Sequence, residues 1–425
     1  MKEIVIGFLG CGNVGGGVWE LLKGFAPEIA RREQLRIRVK KVLVRNVHKA
    51  RSCSVPPELL TDQPDEVLCD PEIDLVAEFM GGEQPATDYL LRALENGKTV
   101  VTANKVALAL NWPRLQRAAM EHHAGLYFEA SVCGAIPIIH TLMTPLQANN
   151  ITRVMGIVNG TTNYILSRMA AQGEPYEAVL ADAQKLGLAE PDPTSEVEGF
   201  DAVYKLSIMA SLAFHTRVPV SAIYREGITR IGAQDIACGK ELGYVLKLLA
   251  LASREGDKLE VRVHPTFLPK EHPLASVDGS FNAVWLYGHA CKEMMLQGRG
   301  AGDMPTASAV VGDILHAATA AAHAYPSFEV TEEPNPALTF ERNWVTRYYL
   351  RISAADTPGV LATVAKCFAK ENISIATMLQ KGAVEDKHVP LIFVTHAASE
   401  QAMQAALAAL DPAVARVESM IRVEA

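Results

Sequence analysis

The chain has 425 residues, of which 49% are hydrophobic and 21% charged, and its formal net charge is −8. This length exceeds what one hydrophobic core usually fills, so we expect two or three domains. The hydrophobic content excludes a largely disordered chain, and the acidic balance argues against nucleic acid as a partner.

The apolar runs and the cysteines of the chain indicate its cellular location. The apolar run at the start of the chain breaks at Gly10, so it predicts a buried strand rather than a signal peptide. No apolar stretch approaches the roughly 20 residues that span a bilayer, so we expect no membrane partner. Seven scattered cysteines without a C-x-x-C pair predict reduced thiols and a cytoplasmic protein.

The first third of the chain alternates short β-rich runs with helix-length segments. Strands separated by helices predict a parallel, doubly wound sheet of the α/β Rossmann class. The predicted strands cover residues 4–9, 36–45, 75–79, 99–102 and 126–129.

A glycine-rich loop of the pattern G-x-G-x-x-G follows the first predicted strand and precedes a helical pattern. Small residues there let the backbone approach a pyrophosphate, and the helix N-terminus supplies N–H donors. A glycine-rich turn without a ligand is the less favoured alternative. The residues expected to contact a dinucleotide are Gly10, Gly12, Asn13, Val14 and Gly15.

The end of the second predicted strand indicates which dinucleotide binds. NAD-specific sites usually place an Asp or Glu there to bind the ribose 2′-hydroxyl. Here the strand ends in Arg45, and Lys49 and Arg51 follow, although these two are equally consistent with solvated surface residues. Because a cation suits a 2′-phosphate, we predict NADP as the cofactor, and the use of NAD as well stays open.

The pattern changes beyond about residue 137. Long helical patterns such as 201–214 interleave with β-rich runs such as 258–263, which predicts a second domain of mixed α+β type. Two prolines within residues 331–336 predict a linker. From about residue 346 the order is strand, helix, strand, strand, helix, strand, the ferredoxin-like βαββαβ arrangement.

Five segments carry the distinctive motifs: GGEQPA at 81–86, TANK at 102–105, GIVNGTTNYIL at 156–166, EPDPT to FDAVYK within 190–205, and GAGDMPTASAV at 300–310. In this order they resemble the motifs of homoserine dehydrogenases, over most of the chain before the C-terminal unit. The resemblance implies three domains. They are an NADP-binding Rossmann domain over 1–136, completed by about 298–330, a catalytic and dimerisation domain over 137–297, and a regulatory domain over 346–425.

Homoserine dehydrogenases interconvert aspartate 4-semialdehyde and homoserine, a step in threonine, methionine and isoleucine biosynthesis, so negative charge grows on an aldehyde oxygen. The resemblance implies that Lys105 and Lys205 face this oxygen, with Lys105 also near the cofactor. Asp201 stands four residues before Lys205 on a predicted helix, and this spacing alone would favour an ordinary surface pair. The family motif instead implies that Asp201 orients Lys205 or the substrate hydroxyl.

The two lysines need a perturbed pKa for acid–base catalysis. A free lysine has a pKa of ~10.4, so we expect burial or a neighbouring cation to lower it to roughly 7–8. Two convergent lysines would have this effect on each other. Which of them transfers the proton stays open.

The resemblance also implies binding roles. Glu190 would bind the substrate ammonium, while Gly160 and Thr161 would lie in a turn that caps a helix beginning near Asn163 and presents N–H groups to an anion. A helix cap without a ligand is the equally favoured alternative for this turn. A monovalent cation, chiefly sodium, is implied at oxygens of Glu129, Val132, Gly134 and Ile136.

The C-terminal unit resembles an ACT domain in its segments DTPGVL at 356–361 and ENISI at 371–375. In relatives this module binds an amino acid, often threonine, between modules near the loop around Gly359. A threonine effector and a homodimer or homotetramer are therefore implied. An ACT domain used only for assembly is the alternative.

Three other functions compete with this interpretation. Cys133 would be the nucleophile of a thioester-forming semialdehyde dehydrogenase, but no Cys-His pair supports it, and a small buried side chain is the better interpretation. A non-catalytic NADP-dependent sensor would have no use for the lysines and acids. Another NAD(P)-dependent reductase of a short semialdehyde or keto acid is the third.

Overall fold

The computed structural model describes residues 1–51, 53–323, 325–326, 328, 331–380 and 388–424. The predicted segments 298–330 and 346–425 thus include a few residues outside the described ones. Within the described ranges, no helix is both long and apolar enough to cross a membrane.

The N-terminal region forms a six-stranded sheet in which every neighbouring pair is parallel. Its order, β3-β2-β1-β4-β5-β6, is that of doubly wound dinucleotide-binding folds, so the predicted Rossmann class is confirmed. The strands are β1 (Lys2–Leu9), β2 (Leu35–Leu43), β3 (Leu60–Thr61), β4 (Leu75–Glu78), β5 (Thr99–Thr102) and β6 (Leu126–Tyr127).

Helices cover this sheet because each presents an apolar face to it; Val18 and Leu22 of the first helix, for example, are buried. The helices that cover it are α1 (Asn13–Glu33), α2 (Asp65–Leu68), α3 (Ala86–Glu95) and α4 (Lys105–Glu121). The next helix, α5 (Ile138–Met143), packs on the second domain instead. The strand predicted to end at Glu129 stops earlier, because the Glu129 N–H bonds to Asp313 Oδ2 (2.8 Å) and a 3₁₀ turn, Glu129–Ser131, begins there.

A second, mixed sheet forms the middle of the molecule. Its strands here are β7 (Ile151–Ile157), β8 (Tyr224–Arg225), β9 (Tyr244–Glu255), β10 (Lys258–Pro269), β11 (Phe281–Gly288), β12 (Lys292–Arg299) and β13 (Thr339–Phe340). The accompanying helices are α6 (Gly160–Gln172), α7 (Tyr176–Lys185), α8 (Thr194–Val197), α9 (Phe200–Phe214), α10 (Ala233–Glu241) and α11 (Asp303–Thr319). Helix α9 is almost wholly buried, which fits the apolar run that predicted it.

Helix α11 returns to the first sheet. Its buried residues Ala307, Val310 and Ile314 share an apolar cluster with β1 and α1. The helices approach closely where α1 has Gly17, since a methyl group there would lie 3.0 Å from the Asp303 carbonyl oxygen.

The C-terminal unit has the predicted βαββαβ order, with one short additional strand. Its elements are β14 (Val345–Ala355), α12 (Val360–Lys370), β15 (Ile375–Gln380), β16 (His388–Thr395), β17 (Ala398–Ser399), α13 (Glu400–Ala408) and β18 (Ala415–Val423). Its main strands pair in the order β18-β14-β16-β15.

The C-terminal sheet continues the catalytic sheet. Strand β18 pairs in parallel with the end of β10, where Thr266 faces Arg422 and Phe267 faces Val423. Two partly buried ion pairs join the same units: Arg422 binds Glu226 at 2.7 Å, and Arg351 binds Asp235 at 2.7 Å. The two units therefore share backbone and charged contacts.

Candidate active site

A cleft of about 560 Å³ lies between the first sheet and the second domain. The loops after β4 and β5 form one wall, and the starts of α6 and α9 form the other. Each predicted catalytic residue and each predicted substrate-binding residue lines it: Lys105, Asp201, Lys205, Glu190, Gly160 and Thr161.

Asp201 is the centre of this cleft. Its Oδ1 lies 3.0 Å from the Lys105 Nζ, and its Oδ2 lies 2.7 Å from the Lys205 Nζ. The Asn159 side-chain amide also donates to Oδ2, at 2.9 Å. Asp201 and Lys205 are buried on one face of α9, whereas Lys105 reaches them from the start of α4 with 37% of its side chain exposed.

The neighbouring charges keep the Asp201 carboxylate ionised. Burial alone would raise the pKa of Asp201, but the two lysines and the Asn159 amide outweigh it and hold that pKa well below its usual range. Lys205 also donates to the Val158 carbonyl at 2.8 Å. An ammonium has three N–H donors, so one donor of Lys205 remains for a ligand.

The expected lowering of the lysine pKa is wrong for Lys105. The charge of Asp201 outweighs burial and raises the pKa of Lys105 above its ordinary value. The charged group next to each lysine is the Asp201 carboxylate, not the other lysine. Lys105 is therefore an ammonium at neutral pH.

The position of Lys105 depends on a buried network that the sequence did not reveal. Asn104 caps α4, because its Oδ1 accepts from the N–H groups of Val106 (3.2 Å) and Ala107 (3.0 Å). Its Nδ2 donates to the Gly82 carbonyl at 2.8 Å and, more weakly, to Glu78 at 3.4 Å. Glu78 is fully buried, and burial raises its pKa. The sequence signal that could have predicted this cap is an Asn directly before a helical pattern.

The cap of α6 also differs from the prediction. The helix begins at Gly160 rather than near Asn163, and the capping group is the Asn159 side chain, which accepts from the Thr162 N–H at 2.8 Å. Among the described residues, the N–H groups of Gly160 and Thr161 have no partner. They remain available to an anion at the helix N-terminus.

Two acids face the lysines across the cleft. The side chain of Glu190 is exposed, and Glu196 is half-buried, which raises its pKa. The Glu196 Oε2 is buried and has no hydrogen-bond partner in the part of the chain that the structure describes. Both carboxylates suit a substrate ammonium, and the second was not among the predicted site residues.

A second cleft, of about 900 Å³, surrounds the glycine-rich loop and shares Asn13, Phe79 and Gly81 with the first. It is lined by Gly10, Gly12 and Arg45, with Lys49 and Arg51 beside them. Val14 lines the first cleft instead, and Gly15 lines neither.

The glycines of this loop have different tasks. No described atom lies within 4 Å of the place where a Cβ would stand on Gly12, so a phosphate could approach its backbone. Gly10 has φ +98°, which favours glycine. A methyl group on Gly15 would lie 2.9 Å from the Gly10 carbonyl oxygen, so Gly15 is needed for the packing of the loop. This cradle fits a dinucleotide pyrophosphate.

The cations near Arg45 are not equivalent. Arg45 and Lys49 are exposed on the cleft wall. The Arg51 guanidinium donates to the carbonyls of Asn46 and Lys49, at 2.6 and 2.7 Å. Arg45 and Lys49 are thus the side chains best placed to meet a 2′-phosphate.

The predicted cation residues lie beside the first cleft, and only Gly134 lines it. The Glu129 carboxylate accepts from the N–H groups of Ile139 (2.8 Å) and His140 (2.7 Å), and burial raises its pKa to about 7. The Ile136 carbonyl accepts from Ile138. The described residues hold no cluster of three or more His, Cys, Asp or Glu side chains. The carbonyls of Val132 and Gly134 accept no hydrogen bond within the described ranges, so they fit a hard cation best.

Cys133 lines the first cleft but is 1% exposed, and burial raises its pKa to about 11. A thiol in this state is a poor nucleophile at neutral pH. The structure thus favours the packing interpretation of Cys133.

Comparison with known proteins decides the family. The homoserine dehydrogenase profile matches residues 137–315, the NAD-binding domain of homoserine dehydrogenase matches 10–129, and the ACT domain matches 348–412. The homoserine dehydrogenase of Mycobacterium tuberculosis is 42% identical, covering 100% of this chain and 98% of that protein. This chain belongs to the homoserine dehydrogenase family. It is therefore an oxidoreductase, with an NAD(P)-binding domain and an ACT domain.

Other homoserine dehydrogenases agree over the full length. The Bacillus subtilis protein is 40% identical over 100% of this chain and 99% of that one. The crystal structure of a homoserine dehydrogenase from Thiobacillus denitrificans has a TM-score of 0.91 at 40% identity, covering 100% of this chain and 99% of that chain. A hyperthermophilic archaeal homoserine dehydrogenase, solved in complex with NADPH, has a TM-score of 0.63 at 26% identity, covering 74% of this chain and 98% of that chain.

Proposed function

We propose that the chain catalyses the reversible, NADPH-dependent reduction of L-aspartate 4-semialdehyde to L-homoserine, in the biosynthesis of threonine, methionine and isoleucine. The observation that carries this proposal is the convergence of Lys105 and Lys205 on Asp201, in a cleft continuous with the dinucleotide cradle. Charged donors beside a bound nicotinamide are what a carbonyl needs as it gains negative charge.

The bound dinucleotide supplies the hydride in this reaction. Lys105 and Lys205 donate hydrogen bonds to the aldehyde oxygen and stabilise the charge that develops on it, and one of them delivers the proton. Asp201 contacts the Nζ atoms of both lysines and directs them toward one point. In the direction of homoserine oxidation, the transferring lysine must first lose its proton.

The rest of the substrate is a zwitterionic amino acid. Glu190 binds its ammonium, and Glu196 adds a second negative group nearby. The N–H groups of Gly160 and Thr161, at the start of α6, bind its carboxylate. Both ends of the amino acid are thus recognised by groups of opposite charge.

The cofactor preference rests on Arg45, which lies just after β2, because that strand ends at Leu43 rather than at residue 45 as predicted. Its side chain is exposed on the cleft wall, where a 2′-phosphate would be bound by a charge-assisted hydrogen bond. The NADPH complex of the archaeal homoserine dehydrogenase supports this choice. Gly10, Gly12, Asn13, Val14 and Gly15 form or support the pyrophosphate cradle.

A sodium ion would be held by oxygens of Glu129, Val132, Gly134 and Ile136, where it would stiffen the floor of the cleft. The ACT domain would bind threonine near Gly359 and reduce activity. The half-exposed apolar residues Phe281, Tyr287 and Met295 on β11 and β12 support a homodimer or homotetramer. None of the seven cysteines, all of which lie in the described ranges, forms a disulfide, which supports a cytoplasmic protein.

The proposed domain limits are 1–136 with 298–330, 137–297 and 346–425. The packing of α11 on α1 supports the return of the chain to the first domain. The parallel pair between β10 and β18 supports a tight junction between the second and third domains.

One set of assays tests the proposal. Homoserine oxidation is measured with NADP and with NAD in parallel, with and without threonine, for the wild type and for Lys105→Ala and Lys205→Ala. We expect NADP to be preferred, threonine to inhibit, and each substitution to lower kcat by about 10²-fold or more. Near-normal kcat in both variants would refute the assignment, and saturating threonine without inhibition would refute the effector.

A further inference from the structure

Two thiols lie against each other beside the glycine-rich loop. The Sγ atoms of Cys11 and Cys53 are 3.5 Å apart. Cys11 stands between Gly10 and Gly12 and lines the dinucleotide cleft, whereas Cys53 does not line it. Cys53 instead follows the segment that begins at Arg45. The two thiols therefore link the pyrophosphate cradle to the wall proposed to bind the 2′-phosphate.

The position of Cys53 is supported by its neighbours. The N–H and Oγ of Ser54 both donate to Glu20 Oε1 on α1, each at 2.8 Å, and Lys23 donates to the Ser54 Oγ at 3.0 Å. A methyl group on Gly16 would lie 3.3 Å from the Cys53 Cβ. Both thiols are therefore held against the start of α1, before any bond joins them.

We propose that Cys11 and Cys53 form a reversible modification site, at which oxidation by a low-molecular-weight disulfide joins them in a disulfide and weakens dinucleotide binding. This inference rests only on the dinucleotide-binding domain, and it is independent of the proposed substrate.

The exchange balances in two steps. The Cys53 thiolate attacks one sulfur of the small disulfide, which forms a mixed disulfide and expels one thiolate. Cys11 then gives its proton to water and attacks the Cys53 Sγ, which forms the Cys11–Cys53 bond and expels the second thiolate. The protein loses two S–H hydrogens, and the small disulfide is reduced to two thiols.

The order of the steps follows from the surroundings of Cys11. Burial, together with the neighbouring Cys53 thiol, raises the pKa of Cys11 to about 12, so Cys11 is a weak nucleophile toward a reagent in solution. The second step is intramolecular, and a high effective concentration compensates for the small thiolate fraction.

The bond changes the cradle because the sulfurs must move together. A disulfide is about 2.0 Å long, so the two sulfurs must approach by about 1.5 Å from their separation of 3.5 Å. Cys11 lies between two glycines of the pyrophosphate cradle, so the loop shifts there. A misplacement of about 1 Å in a binding site is enough to weaken function about tenfold or more.

The test uses the full-length protein treated with oxidised glutathione, with and without NADPH. We expect peptide mapping to find the Cys11–Cys53 link, the KM for NADPH to rise about tenfold, dithiothreitol to restore it, and NADPH present during oxidation to protect. Absence of the link in the cofactor-free protein would overturn the proposal. So would a link that leaves the KM for NADPH unchanged.

Two variants complete the test. Cys53→Ser removes one partner of the disulfide at a position outside the cofactor cleft. This variant should keep its basal KM for NADPH after oxidation. Cys69→Ser is the matched control, because Cys69 is exposed and lies at the end of α2, away from the two thiols, so it should respond as the wild type does. Equal sensitivity of Cys53→Ser and wild type would overturn the proposal, and mapping of the wild-type link does not depend on either variant.

Discussion

At the scale of single residues, the active site is organised by a carboxylate rather than by the lysines themselves. The spacing of Asp201 and Lys205 predicted a pair on one helix face, and the structure has that pair at 2.7 Å. The approach of Lys105 from another helix was implied only by the family motif, because such a contact depends on how α4 and α9 pack. Local spacing carries no information on that packing.

Replacing Asp201 with Asn tests this arrangement through its pH dependence. Homoserine oxidation needs a neutral lysine, and the raised pKa of Lys105 places its deprotonation at strongly alkaline pH. Loss of the Asp201 charge lowers that pKa, so the rising alkaline limb of kcat/KM should move to lower pH, while kcat falls about 10²-fold. The exposed Asp182→Asn, which removes a surface pair with Lys185, is the control. If the alkaline limb of kcat/KM stays at the same pH in Asp201→Asn, Asp201 does not set the pKa of Lys105.

Arg45→Asp tests the cofactor preference. A charge-assisted hydrogen bond to a phosphate is worth about 1.5–3 kcal/mol, so kcat/KM with NADPH should fall about tenfold or more, while kcat/KM with NADH changes little. Arg36→Asp makes the same charge change at the other end of β2, beside Glu3, and should leave both values nearly unchanged. An unchanged ratio in Arg45→Asp would mean that another residue binds the phosphate.

At the scale of elements, hydrophobic periodicity predicted the strands and helices of the cofactor domain, but it misjudged how they begin and end. The turn at Gly160 to Thr162 has residues that cap helices well, yet the cap is Asn159. The strand at 126–129 ended early because the Glu129 N–H is bound by Asp313, which is distant in the sequence. Helix caps and strand ends depend on such side-chain contacts, which periodicity does not encode.

The cap of α4 offers a prediction of its own. Asn104→Ala removes the bonds to Val106 and Ala107 and should cost about 1 kcal/mol of folding stability. Because Lys105 is the first residue of this helix, kcat should also fall about tenfold. Ser399→Ala removes a comparable cap from α13, where Ser399 accepts from Ala402 at 3.2 Å, far from the lysines. Chemical denaturation should show a loss of stability in both variants, whereas kinetics should show a loss of kcat only in Asn104→Ala.

At the scale of the whole molecule, the sequence predicted three units but not how closely the second and third are joined. The βαββαβ order was readable because each strand and helix has its own apolar period. The addition of β18 to β10 was not readable, since strand partners distant in the sequence leave no local signal. Arg422 is 1% exposed; it binds Glu226 across this junction at 2.7 Å and Glu400 within its own unit at 2.6 Å.

Arg422→Met tests the strength of the junction. The substitution removes the cation that pairs with the buried Glu400 and the half-buried Glu226, so the free energy of unfolding should fall by about 3–5 kcal/mol. Arg416→Met on the same strand removes only a surface pair with Glu418 and should cost less than about 1 kcal/mol. Equal midpoints for the two variants in urea would show that the Arg422 pairs do not hold the junction.

The shared sheet has a practical consequence for any test of the proposed regulation. Excising the C-terminal module at residue 345 would strip β18 from β10, leaving open backbone groups at Thr266 and Phe267 and the Glu226 carboxylate without Arg422. Such a shortened enzyme would be prone to self-association, and its low activity would be mistaken for a regulatory effect. Point substitutions in the loop at Gly359, which keep the strand pair intact, are the cleaner way to test the proposed effector response.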